Sequence, residues 1–258
     1  MKRAYTDIPE GQMHYRFEGE GDPIIFLHMS VGSSDEYSGV LHFISKKYRG
    51  IAVDFLGFGD SDPAPRAYLD MDHAKTVHSF MDSLGIKKAS IVGQHYGSRV
   101  AVEVALNWPE RVNKLVLAGP GFWDVSEAIA LNEPPNFTTR VELKPDGSHL
   151  MEWWRRSGLW GDYSLEILEE RVIEYIKAGP RGEESHWAGA AYDLKPRLPL
   201  IACPTLVLDA THYPFHYLAQ EVKKLIPNSK ITTIENGPMY LDRAWPKEFA
   251  EAILNFLG

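Results

Sequence analysis

The feature that most constrains this chain is a rhythm of short, unbroken apolar runs separated by helical patterns. Pro23 to Leu27 reads PIIFL, Gly50 to Val53 GIAV, Ala89 to Val92 ASIV and Leu115 to Ala118 LVLA. Pro204 to Leu208 (PTLVL) and Lys230 to Ile234 (KITTI) continue the series. A strand with one wet face alternates polar and apolar residues. Continuous apolar runs of this length suit parallel strands covered on both faces. Between them, Ala74 to Leu84 ends at Gly85 as a helix ends at its C-cap, and Arg99 to Asn107 stops before Pro109. Phe215 to Leu225 and Lys247 to Phe256 are amphipathic at helical spacing. Gln12 to Glu18 reads as an antiparallel lead-in strand. The β-α-β-α order predicts an α/β protein with a mostly parallel, doubly wound sheet.

One segment breaks the rhythm. From about 122 to 191 a loop rich in Pro and Asn (Asn132 to Asn136) gives way to helical patterns, and the stretch carries Trp123, Trp153, Trp154, Trp160 and Trp187. It reads as a helical cap (122–191) inserted into a core made of 1–121 and 192–258. The net charge of -8 argues against nucleic acid or an anionic membrane as partner. No apolar run reaches the roughly 18–20 residues of a membrane-spanning helix. The opening MKRAYTDIPEG has no apolar stretch after its basic residues, and Cys203 is the single cysteine, so a cytoplasmic protein without disulfides is expected.

Four motifs occur in a telling order. Leu27-His28-Met29-Ser30-Val31-Gly32 follows the first parallel strand, and Asp54-Phe55-Leu56-Gly57-Phe58-Gly59-Asp60-Ser61 the next. Then come Val92-Gly93-Gln94-His95-Tyr96-Gly97, trailed by Trp108-Pro109-Glu110-Arg111-Val112, and finally Cys203-Pro204-Thr205-Leu206-Val207-Leu208. Across nearly the whole chain these resemble the α/β-hydrolase family: its His-Gly oxyanion loop (with Met29 for Gly), its D-x-x-G-x-G-x-S turn, its nucleophile elbow and the strand leading to its acid. The resemblance implies the α/β-hydrolase fold with an inserted helical cap. It also implies that His28, Asp54, the Gly57/Gly59 turn and Cys203 are structural.

The resemblance also shows what is missing. The elbow places a nucleophile at strained φ/ψ between two glycines. Here Gly93 and Gly97 frame His95, and no G-x-S-x-G occurs elsewhere. The family's acid position falls on Tyr213, with Asp209 at the strand end as a substitute. The family's histidine position falls on Pro238, and no His follows His216. A standard Ser-His-Asp triad is therefore not expected.

Imidazole titrates near neutrality, so His95 is the candidate acid, base or nucleophile, with Asp209, His212 and Tyr213 as catalytic partners. Its bland alternative is a position kept for ligand contact. The amides of Ser30 and Tyr96 are the expected oxyanion donors. Met29, Tyr240, Trp154 and Trp187 are candidate substrate contacts, although Tyr and Trp at such places more often only pack. No cofactor is implied. The expected function is a non-standard hydrolase or lyase acting on a small, largely apolar molecule by hydrolysis, C–C cleavage or elimination. Two alternatives stand beside it: an inactive small-molecule-binding protein, and a metal-dependent hydrolase built on His95, His212 and His216.

Overall fold

The computed structural model describes residues 1–122, 141–159, 161–182, 184–185 and 193–258. Eight strands form one sheet: β1 (Lys2–Ile8), β2 (Gly11–Glu18), β3 (Pro23–Leu27), β4 (Arg49–Val53), β5 (Ala89–Gln94), β6 (Val112–Ala118), β7 (Thr205–Ala210) and β8 (Ser229–Ile234). Their spatial order is β1-β2-β4-β3-β5-β6-β7-β8. β2 runs antiparallel to β1 and β4, and β3 to β8 are parallel. The helices are α1 (Ser38–Ile44), α2 (Asp70–Ser83), α3 (Tyr96–Asn107), α4 (Ser148–Ser157), α5 (Leu165–Ala178), α6 (His216–Leu225), α7 (Leu241–Ala244) and α8 (Pro246–Leu257).

The apolar runs behave as their sequence predicts. Successive strand side chains point to opposite faces, so each run feeds two core layers. Ile25, Leu27, Ile91, Leu115, Leu117 and Val207 join the layer beneath α2, α3 and α6. Ile24, Phe26, Val92, Val116, Leu206 and Leu208 join the layer beneath α1 and α8. With both faces covered no polar alternation survives, hence PIIFL and LVLA.

β1 has no counterpart among the predicted strands. It is an edge strand whose side chains are mostly exposed or half-buried, so polar residues mask its period. β5 and β7 each run two residues past the predicted end, which places Gln94 and Asp209 inside strands. The insertion between β6 and β7 is helical where described: α4 and α5 pack together, with the Trp153 and Tyr175 rings stacked at 6.2 Å. Trp123, Trp160 and Trp187 lie outside the described residues. Among the described residues no helix is long and apolar enough to cross a membrane.

Candidate active site

The elbow between β5 and α3 is built by steric necessity. A Cβ on Gly93 would lie 2.2 Å from Gly97 O, and one on Gly97 would lie 2.0 Å from Leu27 O. Only glycine lets the turning chain pass so close to itself and to the end of β3. Between them His95 sits at φ 50, ψ -109, a strained conformation for a residue with a full side chain. Its amide donates to Ala118 O at 2.9 Å, and Ser98 Oγ donates to Gly93 O at 2.6 Å. The elbow is thus clamped to the end of β6. The imidazole is buried, with Tyr213 edge-on (centroids 6.3 Å) and Phe215 at 5.9 Å.

The loop after β3 is held from both sides. His28 is buried and accepts from the Phe55 amide through Nε2 (3.1 Å), so Nδ1 carries the proton donated to Met29 O (2.7 Å). Burial pushes its pKa down and keeps it neutral. This is the expected structural role. The Met29 amide donates to the buried Glu36 carboxyl at 3.1 and 3.3 Å. The Ser30 amide has no protein acceptor among the described residues, and neither has the Tyr96 amide, which opens α3 where no intrahelical acceptor exists.

The other predicted site residues disperse. Asp209 does not hydrogen-bond to His95. Its Oδ2 accepts from His216 Nδ1 (2.6 Å) and Thr233 Oγ1 (3.2 Å), and its Oδ1 is buried without a partner among the described residues. Burial pushes this carboxyl up against those hydrogen bonds. His212 is exposed and lines a surface groove with Pro238 and Trp245. Among the described residues His95, His212 and His216 do not converge as metal ligands. The group that does is His14, Asp54 and Asp60, and its Asp54 is already bonded by His14 Nδ1 and the Ser34 and Asp60 amides. Burial alone would raise the Asp54 carboxyl, but these bonds hold it below its ordinary value, as suits the brace of a turn.

Tyr213 is beside His95, yet its hydroxyl is buried with no partner among the described residues. Burial, then the charge of Asp209, holds the phenol well above its ordinary pKa. It faces a cavity of about 20 Å³ shared with Gln94, Asp209 and Pro238. Met29 packs in the core layer under α1 and α8. Tyr240 joins cap to core: its ring lies 4.6 Å from Tyr163, with the Arg171 guanidinium 5.1 Å above it. Trp154 lines a groove of the insertion's own residues, including Val141, His149 and Arg155.

A charged cluster behind the loop was not foreseen. Glu174 of α5 accepts from Ser33 Oγ (3.1 Å), Arg171 Nη1 (2.5 Å) and Arg243 Nη2 (2.5 Å). Arg171 also donates to Val31 O. Asp242 accepts from Gln94 Nε2 at 2.7 Å, next to the elbow. Burial pushes Asp242 up to about 6 and Glu36 well above its ordinary value. In sequence these are charges on helical patterns, indistinguishable from a wet face.

A sheet of this order, a glycine-framed elbow after its fifth strand and a brace of amides define an α/β-hydrolase architecture. The comparisons agree. The family model described as alpha/beta hydrolase fold matches residues 22–157. A 2-hydroxy-6-oxo-6-phenylhexa-2,4-dienoate hydrolase of Comamonas testosteroni is 30% identical over 226 residues, covering 80% of this chain and 76% of that one. Haloalkane dehalogenase 2 of Mycobacterium tuberculosis is 33% identical over 124 residues, 48% of this chain and 43% of that one. A crystal structure of a hydrolase from Pseudomonas aeruginosa superposes with TM-score 0.82 at 20% identity, covering 99% and 98% of the two chains. The chain belongs to the α/β-hydrolase superfamily.

Proposed function

We propose that this protein is a hydrolase of small, largely apolar molecules in which His95, not a serine, carries the chemistry. The observation that carries the reading is His95 held at φ 50, ψ -109 at the elbow, next to the Tyr96 amide that opens α3. Strain of this kind costs about 1–3 kcal/mol, and any relaxed loop would avoid it were the position idle. The core (1–121, 192–258) supplies the elbow and the amides, and from the cap (122–191) Arg171, Glu174 and Ser185 bond to the loop that carries Ser30. Among the relatives is a 2-hydroxy-6-oxo-6-phenylhexa-2,4-dienoate hydrolase, which favours a carbonyl substrate, and we take the bond cleaved to be the neighbouring C–C bond. His95 takes a proton from a water as its oxygen bonds to the carbonyl carbon. The resulting oxyanion lies on the two amides. As the carbonyl reforms and the C–C bond breaks, the imidazolium returns the proton to the departing carbon.

A binding protein is the second reading, favoured by one observation: Asp209 pairs with His216 and not with His95. The test offers 2-hydroxy-6-oxo-6-phenylhexa-2,4-dienoate, simple aryl esters and enol-lactones to the native chain and to His95→Ala. Turnover is expected, with a loss of about 10²–10⁴-fold in kcat for the variant. Full turnover by His95→Ala overturns the reading. Saturable binding without turnover by either form establishes the second one.

A further inference from the structure

Between α5 and the turn after β4 lies a cavity of about 190 Å³. Leu56, Phe58, Pro63, Tyr68, Ala178 and Ser185 line it, and so does His73 of α2, whereas His95, Tyr213 and Phe215 do not. The His73 ring is clasped by Phe55 (centroids 4.8 Å), Tyr68 (5.2 Å), Tyr96 (5.8 Å) and Phe58 (6.1 Å). Its Nδ1 is buried with no hydrogen-bond partner among the described residues. Burial drives its pKa down to about 3, so the ring is neutral and offers one N–H and one lone pair. An unanswered polar group in an aromatic pocket is costly unless something meets it.

The charges around the cavity are already paired. Lys177 Nζ lies 2.7 Å from Asp60 Oδ1. Arg181 Nη2 lies 2.9 Å from Glu184 Oε2, and Arg181 Nη1 donates to Ala64 O at 2.8 Å. Little charge is left to attract an ion. An apolar cavity of roughly 150 Å³ admits benzene, so this one has room for a single ring with a small substituent.

We infer that this cavity is a second binding site, for a small uncharged aromatic molecule of phenol size, its hydroxyl on the His73 ring and its body against Phe58 and Tyr68. The guest lies beside both oxyanion donors' residues. His73 packs edge-on against Tyr96, and Ser185 Oγ is hydrogen-bonded to Ser30 Oγ.

Phenol and toluene are the probes, followed by calorimetry and by soaked crystals of the full chain. Phenol is expected in the cavity of the native chain and of His95→Ala alike, its oxygen about 3 Å from a His73 ring nitrogen. His73→Phe keeps the aromatic wall and removes both nitrogens, so phenol affinity falls about tenfold or more while toluene affinity holds. Ala178→Phe, at the half-buried end of α5 where it packs on the rim of the core, fills the space and abolishes both, and it leaves the His73 ring in place, which keeps the test decisive should His73→Phe not fold. Phenol seated only beside His95, an ordered water alone on His73 at roughly 10 mM phenol, or undiminished binding by Ala178→Phe overturns the inference. Retained binding in a His95→Ala chain separates this result from the fate of the proposed reaction.

Discussion

At Gly97 a single methyl group decides whether the elbow exists. The added Cβ would sit 2.0 Å from Leu27 O and 2.8 Å from His28 O, both backbone atoms. Neither rotates away, so the cost falls on the β3–β5 register. Alanine's helical advantage of about 1 kcal/mol over glycine does not offset a clash of that depth. Gly97→Ala is expected to lower stability by more than about 3 kcal/mol, read as a depressed urea midpoint or as insoluble chain. A native-like midpoint would mean that the turn is looser than drawn. Tyr213→Phe should go the other way. Its hydroxyl is buried without a partner among the described residues, so removing it leaves stability unchanged or raises it by up to about 1 kcal/mol. A fall in turnover with an unchanged Tm would then assign that hydroxyl to the substrate, because packing alone does not separate the two readouts.

The elements were legible where one physical rule acts alone. PIIFL and LVLA are strands because both faces are covered, and Gly85 at φ 65 ends α2 as its position in the sequence implies. The Gly93–Gly97 frame was legible because sterics permit nothing else. β1 was not, because an edge strand answers to solvent as much as to the core. The pairing of Asp209 was not either: its choice of His216 over His95 depends on where α6 starts, which no motif specifies. Least legible was the joint between α5 and the core, because Glu174, Arg171 and Arg243 are buried by tertiary packing and not by local pattern. That joint makes its own prediction. Glu174 holds two buried guanidinium groups and Ser33. Glu174→Ala removes the carboxylate the two cations share and leaves Arg243 with Glu170 and Arg171 with Val31 O, at a cost of about 3 kcal/mol and a Tm lower by roughly 10 °C. Protease cleavage should then begin in the insertion before the core. Cleavage spread evenly over the chain would show that α5 is not held chiefly through this residue.

For the molecule as a whole, the buried cluster links folding to pH. Glu36, Glu174 and Asp242 are three buried carboxyls facing two guanidinium groups, Arg171 and Arg243, and Asp242 faces Gln94 of the elbow strand as well. Arg243 also pairs with the exposed Glu170, so acid is in excess in a site where burial disfavours its charge. Asp242 titrates at about 6 in the folded chain, against about 4 when unfolded. Between those values the folded state binds the extra proton. Stability from this group is therefore complete below about pH 4, declines as pH rises, and is lost above about pH 6. At about 1.4 kcal/mol per pKa unit the span is on the order of 2–3 kcal/mol. Carboxyls held low, such as Asp54, impose the opposite slope, so the informative quantity is native minus variant. Asp242→Asn keeps an oxygen to accept from Gln94 and cannot ionise. It should match the native chain near pH 4 and exceed it in stability at pH 7.5, with the difference opening between pH 4 and 6 in urea titrations. A difference that stays constant with pH would place the cluster's excess proton on Glu36, and the matching Glu36→Gln series would then carry the slope.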